Sequence, residues 1–173
     1  TLFMTLLAAF KLLLHRYSRQ TAINVGIPIA NRTENEVQEL IGFFANTLVL
    51  ASDLSENPTF MDLLQRVKET TLGAYAHQEV PFEKIVDAVQ PERDTSHAPL
   101  FQVMFSLQHA QKSKETFANR LKLSPLVAHT GTAKFDITLF VNEHDKHLSA
   151  GFEFNTDLFK SETIELMIDH FVY

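Results

Sequence analysis

The sequence predicts an α/β domain, a layered, mixed β-sheet with helices packed on it. Three observations carry this. Runs rich in β-branched and aromatic residues recur at 22–30, 42–51, 99–107, 135–142 and 148–155 and read as strands. Apolar residues at 3–4 spacing lie before, between and after those runs and read as helices. A long helical segment separates the second and third strands, the kind of connection parallel strands need, whereas the last two are joined by a short polar turn. Parallel and antiparallel pairs in one layered domain give a mixed sheet.

Taken in order, Thr1 to Arg16 is apolar on nearly every face, so as a helix it is buried on most sides. AINVGIPIA (22–30) reads as a strand, with Gly26 and Pro28 awkward for a central position. They predict an edge, a bulge, or a close approach by a ligand or another backbone. Glu36 to Ile41 reads as a short helical turn. GFFANTLVLA (42–51) reads as a strand covered on both faces, and the amide of Asn46 within it must find partners. Asn57 as N-cap with Pro58 at the first helical position starts a helix carrying Phe60, Leu64, Val67, Thr71 and Ala74. Pro81 stops that helix near His77, and Phe82, Ile85, Val86 and Val89 carry a second, shorter one.

PLFQVMFSL (99–107) is the next strand. Residues 110–119 read as a polar surface connection and 121–127 as a weaker strand. Residues 143–147 join the last two strands as a hairpin, and Ser161 reads as the N-cap of a final helix with Ile164, Met167, Ile168 and Phe171.

At 173 residues the chain is long enough for one domain with a sizeable core. Hydrophobic residues make up 45% and charged residues 21%, and fifteen Phe with no Trp predict a Phe-rich interior. The net charge of −6, with no Lys/Arg cluster, argues against nucleic acid as a partner. With no cysteine, the chain itself forms no disulfide, thiolate zinc site or thiol nucleophile. A reducing, cytoplasmic setting is the expectation. The opening TLFMTLLAAFKLLL has no basic region ahead of it, and Lys11, His15 and Arg16 interrupt it too soon for a membrane span. It reads as an excised piece of something longer.

The residues alone do not assemble a catalytic constellation. There is no glycine-flanked serine elbow and no phosphate-cradling glycine loop. His144 and His147, three apart in a polar turn, read as solvated rather than as metal ligands. Glu79 and Glu83 are separated by Pro81, so they read as surface or capping groups. His77 reads as a helix C-cap, where a positive charge is favoured. Arg93 and Asp94 read as a local ion pair fixing the connection between Pro91 and Pro99.

Three of these stretches carry a resemblance. IGFFANTLVL (41–50), HQEVPFEKIV (77–86) and RDTSHAPLFQVMF (93–105) resemble three successive signature motifs of condensation domains from nonribosomal peptide synthetases. VGIPIANR (25–32) and FNTDLF (154–159) fit the same family in the same order. The resemblance implies one lobe of a chloramphenicol acetyltransferase-like fold, in which two lobes form a V with the reaction at their junction. It implies amide formation between a donor acyl or peptidyl thioester and an acceptor aminoacyl thioester, both carried on the phosphopantetheine of carrier proteins. No cofactor is then bound directly.

The family's double-histidine motif belongs to the first lobe, and no His-His pair occurs here. Residues 1–173 are therefore expected to be a single C-terminal lobe, truncated at both ends and inactive in condensation when isolated. Expected partners are carrier proteins, adjacent synthetase domains and the missing N-terminal lobe, with self-association of the fragment through the surface left uncovered. No membrane partner is expected. Asn46, Thr47, Gly26 and Pro28 are the implied substrate-side residues. His77, Gln78, Pro81, Phe82, Glu83, Arg93 and Asp94 are implied to hold the architecture. Two alternatives keep the same fold or surface: an epimerisation or cyclising relative, and a non-catalytic module that docks a carrier protein or recruits a tailoring enzyme.

Overall fold

The computed structural model describes residues 1–90, 98–109 and 131–173. A long helix, α1 (Leu2–Ser18), leads into strand β1 (Ala22–Ile29), and a loop with a 3-10 turn at Asn35–Val37 leads to β2 (Asn46–Asp53). Helices α2 (Phe60–Ala76) and α3 (Phe82–Val89) follow. Then come β3 (Val103–His109), β4 (Ile137–Glu143), β5 (Leu148–Phe154) and α4 (Ser161–Val172). The strands form one sheet in the order β2-β1-β3-β4-β5, with β1–β3 and β3–β4 parallel and the two outer pairs antiparallel. The mixed sheet expected from the sequence is therefore present. The long helical segment does not join neighbours, however: β1 lies between β2 and β3.

That placement corrects the edge expected for the Gly26 strand. β1 is an interior strand paired along its full length with β2, and opposite β3 it registers at Gly26 with Met104. Gly26 is needed because a Cβ there would lie 2.3 Å from the ring of Phe101. The close approach is made by a side chain, not by a ligand or a backbone. Pro28 is exposed opposite Thr47, on a face where its lack of an N–H is tolerated.

Alternation along the strands separates two faces. Ile23, Val25 and Ile27, Leu48 and Leu50, Phe105, and Ile137, Leu139 and Val141 all point to the face covered by helices. α1 crosses the middle of that layer, with α2 on one flank and α4 on the other. Phe10 of α1 packs against Phe105, Phe152 and Phe171, tying β3, β5 and α4 to one ring. The helix carries one surprise for so apolar a segment. Lys11 is fully buried, its Nζ donating to the Leu50 carbonyl at 2.6 Å and to Ser52 Oγ at 2.7 Å. Desolvation lowers its pKa from 10.5 to about 7.

Local signals set the helix ends, not always those expected. α2 is capped by Thr59, whose Oγ1 accepts from the Asp62 N–H while Asp62 accepts from the Thr59 N–H. The Asn57 cap is thereby displaced; Asn57 sits in the left-handed region at φ 51°. α4 begins at Ser161 with Lys160 as its N-cap, one residue before the expected cap. β2 begins only at Asn46, so 42–45 fall outside it, and among the described strands β2 is an edge. The expectations for 93–94, 110–119 and 121–127 lie outside the described residues.

Candidate functional site

The sequence motifs meet where the chain leaves α2. His77 is the exposed C-cap of that helix, its N–H reaching the carbonyls of Ala74 and Tyr75. Pro81, extended at φ −60° and ψ 140°, starts α3. Between them the chain has no regular ladder, so its polar groups need another source. Asn46 supplies it. The amide Nδ2 donates to Gln78 O at 3.0 Å and to Val80 O at 2.8 Å, and Oδ1 accepts from the Phe82 N–H at 3.1 Å. Both amide protons and one acceptor lone pair are thereby committed to the hinge.

The hinge carries the chain round the outer edge of β2. α2 packs on the helix-bearing face through Leu63, Val67 and Thr71. Phe82, a few residues later, meets Phe101 at a ring-centroid distance of 5.7 Å, and Phe101 lies against Gly26 on the opposite face. Phe135, just before β4, extends the strip at 5.3 Å from Phe101. These three rings back a cavity of about 460 Å³. Its other walls are Phe43, Ala45, Asn46 and Thr47 at the start of β2, Asn31 after β1, and the hinge residues Glu79, Pro81 and Glu83. Ala98, Pro99 and Lys134 complete the lining.

Of the substrate-side residues expected from the sequence, Asn46 and Thr47 line this cavity, Gly26 lies beneath its aromatic wall, and Pro28 is exposed nearby. Of the structural set, Pro81, Phe82 and Glu83 line it and Gln78 is tied to Asn46. Arg93 and Asp94 lie outside the described residues.

The sequence reading missed Phe101, Phe135, Lys134 and above all Asn31. The Asn31 side-chain oxygen is buried with no hydrogen-bond partner among the described residues. Its backbone is left-handed at φ 51°, a conformation asparagine tolerates better than most residues. The following loop is fastened by Arg32, whose guanidinium donates to the carbonyls of Val37, Gln38 and Gly42 and stacks 4.3 Å over Phe44. That loop displays Ile41 and Phe43 almost wholly to solvent.

Elsewhere His144 and His147 stack at 4.4 Å, with His144 Nε2 2.9 Å from Ser149 Oγ, in the polar turn between β4 and β5. Among the described residues no group of three or more metal-ligating side chains converges. The cavity joins an apolar wall to a few polar groups, a combination suited to enclosing an organic chain.

Comparison with known proteins gives concordant matches. A family model described as "Condensation domain" matches residues 1–173. One of the linear gramicidin synthase proteins of Brevibacillus parabrevis is 53% identical across 99% of this chain, which spans 2% of that protein. Malpinin synthetase of Mortierella alpina is 45% identical across 95% of the chain and 2% of its own length. A four-domain nonribosomal peptide synthetase, solved with AMP and glycine, superposes with a TM-score of 0.86 at 26% identity, covering 97% of this chain and 14% of that one. The X-domain of teicoplanin biosynthesis, solved in complex with OxyB, gives 0.81 at 25% identity over 98% of this chain and 38% of that one. The chain thus spans a small fraction of the curated relatives it matches.

Proposed function

Because this chain belongs to the condensation-domain family, we propose that it is the C-terminal lobe of an amide-forming domain and that its cavity is one wall of the site holding a thioester-borne acyl group. One observation carries this reading. Stretches far apart in sequence, 43–47, 79–83 and 98–101, converge on a single cavity backed by three aromatic rings. Donor and acceptor arrive on the phosphopantetheine arms of carrier proteins, and the domain's contribution is to hold the amine near the thioester carbonyl and manage its proton. Thr47 and the apolar stem of Asn46 face the acyl chain, and Phe82 and Phe101 bound it.

The proton-handling group comes from outside these residues, since no His-His pair occurs in the sequence. The isolated chain is therefore inactive, and joining it to the first lobe restores amide formation. The test is a dipeptidyl-thioester assay with loaded carrier proteins. Product from the isolated chain above the no-protein control overturns the claim of inactivity, and no product from the two-lobed domain overturns the amide-forming reading.

A second reading is favoured by the likeness to the X-domain seen with OxyB: a lobe that docks a tailoring enzyme instead of catalysing. A two-lobed protein that binds such an enzyme yet forms no amide would support it. Cytoplasmic residence goes with either reading; among the described residues no helix is long and apolar enough to cross a membrane. The isolated chain self-associates through its exposed apolar loop at Ile41 and Phe43. A monodisperse monomer at high concentration by light scattering would contradict this.

A further inference from the structure

Two asparagines line the cavity, and their hydrogen bonding is opposite. Asn46 has spent its amide on the hinge, with donors on Gln78 O and Val80 O and its oxygen on the Phe82 N–H. The buried oxygen of Asn31 has no partner among the described residues. A buried carbonyl left unpaired is destabilising by about 1–3 kcal/mol, so such groups in native proteins call for a cause. Asn31 is held in place by the strand before it and by the Arg32-fastened loop after it, and its left-handed backbone leaves it little freedom to turn elsewhere.

We infer that Asn31, not Asn46, is the polar group of this wall that engages the bound chain, its oxygen accepting an N–H from a secondary amide of the acyl-thioester substrate. Asn46 is a positioning residue that holds Phe82 in the aromatic wall. The inference rests on the reading of the cavity as an acyl-thioester wall and names a contact within it.

An acceptor is the useful group here. The chain leading to the thioester carries amide N–H groups, in the pantetheine arm and in any peptidyl donor. An amide threaded past Phe82 and Phe101 leaves water behind and needs such a partner.

The experiment uses the complete synthetase carrying this domain, with loaded carrier proteins, and measures kcat and KM separately for donor and acceptor. Asn31→Gly is the informative variant, because glycine keeps the left-handed backbone and removes only the side chain. The expected result is a KM raised about tenfold for one loaded carrier, with kcat changed less than threefold, the pattern of lost ground-state binding. Partial unfolding would instead lower kcat and leave KM alone. A donor with an ester oxygen in place of its backbone amide N–H distinguishes the sources. If wild type and Asn31→Gly then share one KM, the amide lies in the acyl group; if the tenfold gap persists, it lies in the pantetheine arm.

Phe82→Leu separates this inference from the reading beneath it. A KM raised by Phe82→Leu but untouched by Asn31→Gly overturns the Asn31 contact and keeps the cavity. Wild-type KM in both variants overturns both. Asn46→Asp keeps the acceptor for Phe82 but loses both donors, so its effect combined with Phe82→Leu should be no larger than the worse single change. Multiplying losses would return Asn46 to direct contact with substrate.

Discussion

On the face covered by α1, α2 and α4, Leu7, Phe10, Phe105 and Leu139 are wholly withdrawn from water. On the opposite face Phe82, Phe101 and Phe135 back a cavity lined by carboxylates, a lysine and the buried Asn31 amide. The same residue type does different work on the two sides. Phenylalanine in the covered layer contributes burial and ring contacts, whereas in the open face it shapes a concave surface that no described residue fills. The contrast separates the residues that hold the lobe together from those available to a ligand, and it orders the effects of substitution.

The largest effect belongs to Lys11, the one charge-bearing side chain placed wholly inside the covered layer among the described residues. Its folded pKa of about 7 lies below the ordinary 10.5. The unfolded chain therefore binds a proton more readily, and stability rises as pH increases from about 7 to 10.5. That gap corresponds to roughly 5 kcal/mol. Urea unfolding of wild type and Lys11→Met at successive pH values should show the wild type gaining on the variant as pH rises. A difference that stays constant with pH would mean that Lys11 is not desolvated as the fold implies.

Next comes Phe10→Ala, which removes the ring shared by β3, β5 and α4. A loss of about 3–5 kcal/mol by denaturant titration is expected. Asn46→Ala, at the corner where the two faces meet, strands two carbonyls and an N–H of the hinge. It should lower stability by about 2 kcal/mol. Gly26→Ala forces a methyl into the Phe101 ring; a loss of about 1–2 kcal/mol is expected, together with a displaced cavity wall. Asn31→Gly should be smallest, within about 0.5 kcal/mol of wild type, while moving KM most. A large stability loss there would place Asn31 with the covered layer and dissolve the contrast.

The fold class was readable because periodicity reports it directly: each of the five described strands overlaps a β-branched run, and each main helix an apolar stripe. The site was readable only in outline. Asn46 stands out as an amide in an apolar run, but its partners lie more than thirty positions away, beyond the end of α2. Gly26 and Pro28 stand out too. The cause at Gly26 is the ring of Phe101, which no local pattern connects to it. Asn57 drew attention as a cap because it precedes proline, yet the reciprocal pair of Thr59 and Asp62 offered the backbone two bonds and won. Asn31 gave no signal at all. A polar residue after a strand looks like any turn until its oxygen is found buried.

The seam between β1 and β3 has a consequence for motion. β1 is laced to β2 along its whole length, and β3, β4 and β5 are laced to one another in the same way, yet β1 and β3 register at Gly26 and Met104 alone. Backbone amides along this seam have fewer ladder bonds to break than those within either half. Native-state hydrogen exchange should therefore resolve two cooperative blocks, a β1–β2 ribbon and a β3–β5 slab, with deuterium entering first along the line between them. Phe101 reaches across that line to Gly26 and Phe82, so a ligand seated against its ring would act as a stitch, slowing exchange on both sides of the seam at once.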